Sequence, residues 1–428
     1  MVTIPITMEG CIGGQSDQDQ NPGGSQMKNR KWKCAVAWLV SVVLSFMIHP
    51  TPTDAFSPAH KPPSMPKEIY GGAWPTRHVQ GIAIDPQNKH IYFSFTQILV
   101  KTDFQGRILG TVEGITGHLG DIDWNPKDGR IYGSLEYKDA ESFYIAIFDG
   151  KKINRIGMDA ESDGVLSTVY LKEVVADFTA DMDGNGVFDG DTADTLDHRY
   201  GCSGIDGVAF GPQFGRKGGP LKLMVAYGIY SNTQREDNDH QIILQYDVSK
   251  WKKYEKTLNQ ERPHKSGPKQ PEKKYFIYTG NTTYGVQNLE YDAYTGNWFM
   301  AVYEGEKKHF PNYSLFIIDG TKPPKKGLIR GQANPEKGWL LTLLKKGLYD
   351  ETSGIYGWEF SGLPRPATAP QYGIESLGNG YYYITHADTI HEDGINKETA
   401  TALLHRWTGN TPSPFSSKVG WDCTLARR

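Results

Sequence analysis

The sequence predicts an all-β fold, a β-propeller of five four-stranded blades closed by the N-terminal strand, and three observations lead there. A short motif recurs five times and opens the same succession of strands each time. Turn-rich runs separate those strands in units of roughly 40 residues or more, the spacing of propeller blades. The composition, with 48 Gly, 24 Tyr and 10 Trp in 428 residues at a mean hydropathy of -0.53, suits short strands joined by polar turns. One large β domain accommodates this length.

The recurring motif is Gly373-Ile374-Glu375-Ser376-Leu377. Its other copies are His78-Val79-Gln80-Gly81-Ile82, His118-Leu119-Gly120-Asp121-Ile122, Gly204-Ile205-Asp206-Gly207-Val208 and Gly285-Val286-Gln287-Asn288-Leu289. Each has apolar ends around two polar or small residues, which fits a short buried strand.

The chain begins with an N-terminal extension and signal peptide over 1–55. Lys28, Arg30, Lys31 and Lys33 precede the apolar run Cys34 to Ile48, and Thr53-Asp54-Ala55 offers a small-residue cleavage site. At about 15 residues the run is short of the about 20 that a membrane span needs. The expectation is therefore a secreted, periplasmic or extracellular protein, free of the membrane after cleavage, with translation starting at Met1 or Met27. Residues 56–66 are a proline-rich linker, 67–410 the propeller, and 411–428 a tail. Beyond the leader only Cys202 and Cys423 remain, either as a disulfide that pins the tail or as free thiols.

Blade 1 is read as Gln80 to Asp85, Ile91 to Thr96, Ile98 to Asp103 and Ile108 to Val112. Blade 2 takes Asp121 to Trp124, Arg130 to Tyr137, Phe143 to Asp149 and a long strand within Val165 to Phe178. Blade 3 takes Asp206 to Phe210, Leu221 to Tyr230, Gln241 to Val248 and Tyr275 to Thr279. Blade 4 takes Val286 to Tyr291, Asn297 to Glu304, Tyr313 to Asp319 and Trp339 to Leu344. Third strands close on Asp103, Asp149, Asp247 and Asp319, which supports the alignment independently. Blade 5 has Ile374 to Leu377, Tyr381 to His386 and Ala402 to Trp407, and Lys67 to Gly71 supplies its missing fourth strand. Six or seven blades stay open as alternatives, with the 345–372 connection the place for another. Lys250 to Lys274 reads as a solvated lysine-rich excursion on the face opposite the mouth.

Long loops gather on the face where the chain enters each first strand, and rigid scaffolds carry function on such loops. Stacking the repeats makes Gln80, Asp206, Gln287 and Glu375 equivalent, with Asp121 one place on. Converging on a narrow channel, these side chains suit a metal or a sugar, although a wet channel is polar for that reason alone. Asp206 and Glu375 are the preferred acid/base or ligand pair, followed by Asp121, His78 and His118. Gln80, Gln287, Tyr284 and Tyr372 are candidate substrate contacts, the tyrosines as stacking platforms.

A separate run, Asp181-Met182-Asp183-Gly184-Asn185-Gly186-Val187-Phe188-Asp189, spaces oxygen ligands at positions 1, 3, 5 and 9 around a glycine that permits a tight turn. It resembles the calcium loop of EF-hand and dockerin proteins. The resemblance implies Asp181, Asp183, Asn185, the Val187 carbonyl, Asp189 and Asp194 as Ca²⁺ ligands. Thr192 stands where that pattern has a bidentate acid, so Asp191 or Asp194 has to replace it, and an ordinary Asp/Gly turn is the alternative.

The repeat pattern over 67–410 resembles the broad class of strictosidine-synthase-like, gluconolactonase-like and TolB-like propellers. Fold alone does not settle activity. The expectation is a calcium-binding hydrolase or lyase acting on a carbohydrate or related small polar substrate at the channel mouth. The alternative is a non-catalytic propeller that binds glycan or protein there. A net charge of -3 argues against general nucleic-acid binding, and a monomer is expected.

Overall fold

The computed structural model describes residues 65–360 and 370–417. The leader, Cys423 and most of the proline-rich linker lie outside the described residues, among which no helix is long and apolar enough to cross a membrane. Five antiparallel sheets follow one another along the chain. Each inner strand touches the next, and that of the fifth blade returns to the first, so the ring closes at five.

Blade 1 comprises Val79–Asp85, His90–Phe95, Ile98–Asp103 and Ile108–Glu113, from the channel outwards. Its first strand is buried along its whole length, because neighbouring blades cover both faces. Blade 2 comprises His118–Trp124, Ile131–Tyr137, Ser142–Phe148 and Leu166–Tyr170. Blade 3 comprises Cys202–Gly211, Lys222–Ile229, His240–Tyr246 and Lys273–Tyr278. Blade 4 has Thr283–Asp292, Asn297–Tyr303 and Leu315–Ile318. Blade 5 has Ile374–Ser376, Tyr381–Glu392 and Ile395–Trp407, with Glu68–Trp74 outermost.

The closing strand pairs as expected, Glu68 opposite Leu403 and Ile69 opposite Ala402. Tyr383 Oη adds a hydrogen bond to the Pro66 carbonyl at 2.6 Å. The aspartates that end third strands also have a physical reason. The carboxylates of Asp103, Asp149, Asp247 and Asp319 each accept the amide two residues on, at 2.9, 3.3, 3.0 and 3.1 Å, which fixes the turn.

Aromatic residues fill the seams between blades. Trp298 on blade 4 is fully buried and packs on Phe214 from blade 3, a burial worth about 2–3 kcal/mol relative to exposure. Trp358 and Tyr382 do the same between blades 4 and 5, against Trp407.

The structure departs from the expected layout at six places. The run Val165 to Phe178 splits into the short strand and a helix, Lys172–Phe178, because Leu171, Val174 and Phe178 recur at helical spacing and bury together. The expected fourth strand of blade 4 is shared. Lys337–Leu340 runs parallel to blade 3's outer strand, pairing Trp339 with Tyr275, while Leu343 bridges Ile318 on blade 4. Among the described residues, the 345–372 connection holds a two-stranded ribbon, Leu348–Asp350 with Ile355–Gly357, in place of a sixth blade. The blade 5 hairpin runs on past the expected ends at His386 and Ala402, with Ala387 opposite Ala400 and Glu392 opposite Ile395. The tail joins the propeller as far as Ser416, with Phe415 paired to and buried beside Trp407 and Ser416 paired to Arg406.

Most lysines of the Lys250–Lys274 excursion are exposed, as expected, but the segment is anchored to the blades. Lys256–Thr257 extends blade 2 by pairing with Ser167 and Thr168, and Glu255 receives both terminal nitrogens of Arg130, at 2.9 and 3.0 Å. From there the segment climbs to the mouth, where the Gln260 side chain accepts from Tyr137 Oη at 2.8 Å and donates to the Gly114 carbonyl at 2.9 Å.

Candidate functional site at the channel mouth

Four of the five inner strands carry a β-bulge at the recurring motif. The register skips between Val79 and Gly81, Leu119 and Ile122, Ile205 and Val208, and Val286 and Asn288. A bulge re-aims the extra residue, and here it brings Gln80, Asp206 and Gln287 to one level. They line a cavity of about 810 Å³ together with His78, His118 and Tyr284. Six of the nine residues expected at the mouth therefore meet there. Tyr372 stands behind the wall, its ring edge-on to His78 at 5.7 Å.

Asp206 is 5% exposed, and its Oδ1 has no hydrogen-bond partner. It fits because blade 2 has Gly120 opposite: a Cβ there would collide with both Asp206 Oδ1 and Ser134 Oγ. Burial, outweighing the neighbouring His118 charge, pushes the Asp206 carboxyl up to about 7. His118 shows the opposite balance. Burial works to lower its pKa, but the interaction with Glu136 and the Asp206 charge prevail and raise it. His78 is lowered by burial and by the His118 and Arg77 charges. It sits 3.3 Å from Gln80 Nε2 and 3.4 Å from Tyr303 Oη, and the mouth thus sets a less basic imidazole beside a more basic one. Tyr284, at φ 61° and 53% exposed, forms the rim.

Asp121 and Glu375 are placed elsewhere. Asp121 is 2% exposed and turns its Oδ2 away from the cavity, accepting the Val208 amide at 2.9 Å and the Leu289 amide at 3.0 Å, while Oδ1 takes Ile122 N. It ties three inner strands together. Asn288 does the equivalent work from blade 4, accepting Ile374 N at 3.2 Å and donating to the Gln80 carbonyl at 2.6 Å. This aligns Ile374 with Val208 and Leu289, not with Ile205 and Val286, so Glu375 sits three residues further down the channel than the motif implies. The expected Asp206–Glu375 pair is not formed. Glu375 instead matches Asp123 and Glu290, each one residue past the aligned position, and these three carboxylates face one another across the lower channel. Burial, reinforced by the Asp123 charge, raises Glu375 well above the usual carboxylate range; burial also holds Asp123 at about 7.

The acidic loop departs from the expected ligand set. Asp181, Asp183 and Asp197 bring carboxylate oxygens within 4.8 Å of one another. Asp197, unmarked by the motif, is fully buried and accepts the Met182 and Asp189 amides at 3.1 and 2.8 Å. Asn185 Oδ1 is taken by Val187 N, Asp189 Oδ2 by Thr195 Oγ1, and Asp194 stays outside the cluster.

The structure also reveals mouth residues that lacked any repeat signal. Glu136 lies at the end of blade 2's second strand and Lys138 just beyond it, Tyr303 ends blade 4's, and Gln260 arrives on the excursion. A second cavity of about 420 Å³ lies at blade 3's edge. Its Lys274 and Arg199 are already paired, with Asp177 and Glu336.

No protein family model and no curated protein matches the sequence. Among solved structures, the chain is similar to a Bacteroides caccae protein of unknown function at 10% identity and TM-score 0.26, over 66% of this chain and 100% of that one. Kuenenia stuttgartiensis hydrazine synthase matches at 11% identity and TM-score 0.30, over 78% and 66%. The Dos1 propeller matches at 11% identity and TM-score 0.28, over 75% and 78%. At these scores none of them bears on function.

Proposed function

We propose that this chain is an exported hydrolase or lyase that acts on a carbohydrate or related small polar substrate at the channel mouth. One observation carries the reading: Asp206, a carboxyl buried between blades with its Oδ1 packed against Gly120, lines a cavity bounded by polar groups. A carboxyl held up to about 7 exchanges protons near neutral pH, which is what a general acid or base requires. In this reading Asp206 moves the proton, His118 stabilises negative charge developing on the substrate, and Gln80 and Gln287 orient its hydroxyls.

Calcium belongs to the proposal as a structural ion away from the mouth. Asp181, Asp183 and Asp197 are hard oxygen donors of the kind Ca²⁺ selects, and they would hold it. The ion would anchor the 181–197 loop and take no part in the proton transfer.

The exposed rim ring of Tyr284 favours a second reading, a non-catalytic glycan binder. Asp206→Asn separates the two. Screened on a panel of aryl glycosides, lactones and uronides, an enzyme loses turnover in this variant and still binds the substrate. Full turnover in Asp206→Asn would refute the assignment, and binding without turnover in the parent would favour the second reading.

A further inference from the structure

Glu136 belongs to no motif, yet three contacts converge on it. It is 6% exposed. Its Oε1 accepts the amide of Ile205, the residue before Asp206, at 2.5 Å. Its Oε2 lies 3.6 Å from His118 Nδ1, on the strand paired with its own. The third contact concerns what is missing opposite: a Cβ on Gly204 would collide with Glu136 Oε1. Gly204 sits at φ 125°, a conformation that glycine tolerates and side chains resist, so blade 3 leaves a gap where the carboxylate passes.

From this geometry we infer that Glu136 is the positioning residue of the mouth, fixing the backbone that carries Asp206 with one oxygen and the His118 imidazole with the other. The inference rests on the acid–base reading above. A carboxylate 3.6 Å from Nδ1 stands at ion-pair distance and favours the protonated imidazole. His118 itself lines the cavity, so the charge that Glu136 favours on its ring is felt there. Glu136 itself need not touch the substrate.

The charged groups around His118 come from three blades. Glu136 and Lys138 face it from blade 2, Asp206 from blade 3, and His78 with Arg77 from the entry to blade 1. Lys138 is shared between Glu136 at 4.0 Å and Asp191 at 3.8 Å. Removing the Glu136 charge leaves burial, Lys138 and His78 opposed by Asp206 alone, so His118 must lose basicity.

The test is Glu136→Gln in the full chain, which keeps an oxygen for the Ile205 amide and removes the charge. With histidines labelled and the His118 resonance assigned by its loss in His118→Gln, NMR titration should show His118 deprotonating at lower pH than in the parent, with little change in melting temperature. Glu136→Asp, which restores the charge one methylene short, should recover part of the shift. Should Glu136→Gln fail to fold, the same titration is read in Glu136→Asp, where a smaller shift in the same direction is expected. An unchanged His118 titration overturns the inference. Because this readout needs no substrate, that outcome leaves the assignment of Asp206 standing, and loss of the Asp206 assignment leaves the titration result valid.

Discussion

Replacing Asp121 by alanine should damage the fold rather than the chemistry. Its Oδ2 is the acceptor for two buried amides from two other blades, Val208 N and Leu289 N, and water cannot replace it at 2% exposure. An orphaned buried donor costs about 1–3 kcal/mol, so two cost about 2–6 kcal/mol, a large part of the 5–15 kcal/mol that typically stabilises a domain. Asp121→Asn should cost far less, roughly 1 kcal/mol. Its amide oxygen can serve both distant donors, and only the local Ile122 amide meets an NH₂ group. Urea unfolding of both variants measures the difference, read as a lower midpoint at unchanged slope. If Asp121→Ala loses under 1 kcal/mol, the three-strand tie is not structural. If instead it unfolds normally but loses all turnover, Asp121 belongs to the mechanism after all.

Three further outcomes are expected. Asp206 titrates at about 7 when folded, against 3.8 for the ordinary carboxyl, so between those values the folded state binds more protons. Stability should therefore fall as pH rises from about 4 to about 7, by up to about 4 kcal/mol from this group; Asp123 and Glu375 are raised as well, so the share of Asp206 is the part of the fall that Asp206→Asn removes, and an unchanged fall of the urea midpoint in that variant, both measured in EDTA, refutes the assignment. Gly120→Ala should abolish turnover with a modest stability loss, because the new methyl takes the space of the Asp206 carboxylate; activity equal to the parent would show that Asp206 is not held by that contact. EGTA should lower the melting temperature, since a ligand at 100 times its Kd adds about 2.7 kcal/mol, and Asp197→Asn should remove the EGTA effect; a melt indifferent to EGTA dismisses the bound ion.

Deleting residues through Gly72 should expose the outer edge of blade 5 and cause aggregation, because Ile69 and Tyr70 pair with Ala402 and Thr401 there. Deletion through Pro63 should leave the protein soluble. Light scattering distinguishes the two, and a soluble, folded product from the longer deletion would mean that closure does not depend on this strand.

The blade count and the closing strand were legible because both follow from local rules: alternation, turn residues and the aspartates that cap third strands. What the sequence concealed was position along the channel. Gly373-Ile374-Glu375-Ser376-Leu377 has the letters of the motif but lacks its bulge. Ile374 pairs directly with Ile384 and Glu375 with Tyr383, and the short turn of helix Pro370–Tyr372 replaces the residues that bulge elsewhere. A bulge adds a residue to one strand without changing the apolar pattern on either side, so nothing in the letters separates Glu375 from Asp206. The distinction appears only in hydrogen bonds between blades, where Asn288 accepts Ile374 N as Asp121 accepts Val208 N.

The same limit explains why Glu136 and Gln260 escaped notice and Asp206 did not. Asp206 sits in a repeat, so comparison with Gln80 and Gln287 aims it without knowledge of any loop. Glu136 is selected by a gap in a different blade, the missing side chain of Gly204, and Gln260 by a segment that leaves blade 3, joins blade 2 and reaches the mouth. Both depend on contacts more than 60 residues apart in the chain. The two kinds of residue then divide the work at the mouth. The symmetric scaffold delivers Asp206, Gln80 and Gln287 to one level, and the asymmetric groups give that level a direction. Glu136 raises the basicity of the His118 side, whereas burial and the neighbouring positive charges lower that of the His78 side. A five-fold ring of equivalent polar groups would hold a symmetric ligand equally in any orientation. One carboxylate set against one imidazole makes two faces of the cavity chemically unlike, which is the condition for binding an asymmetric substrate in a single pose.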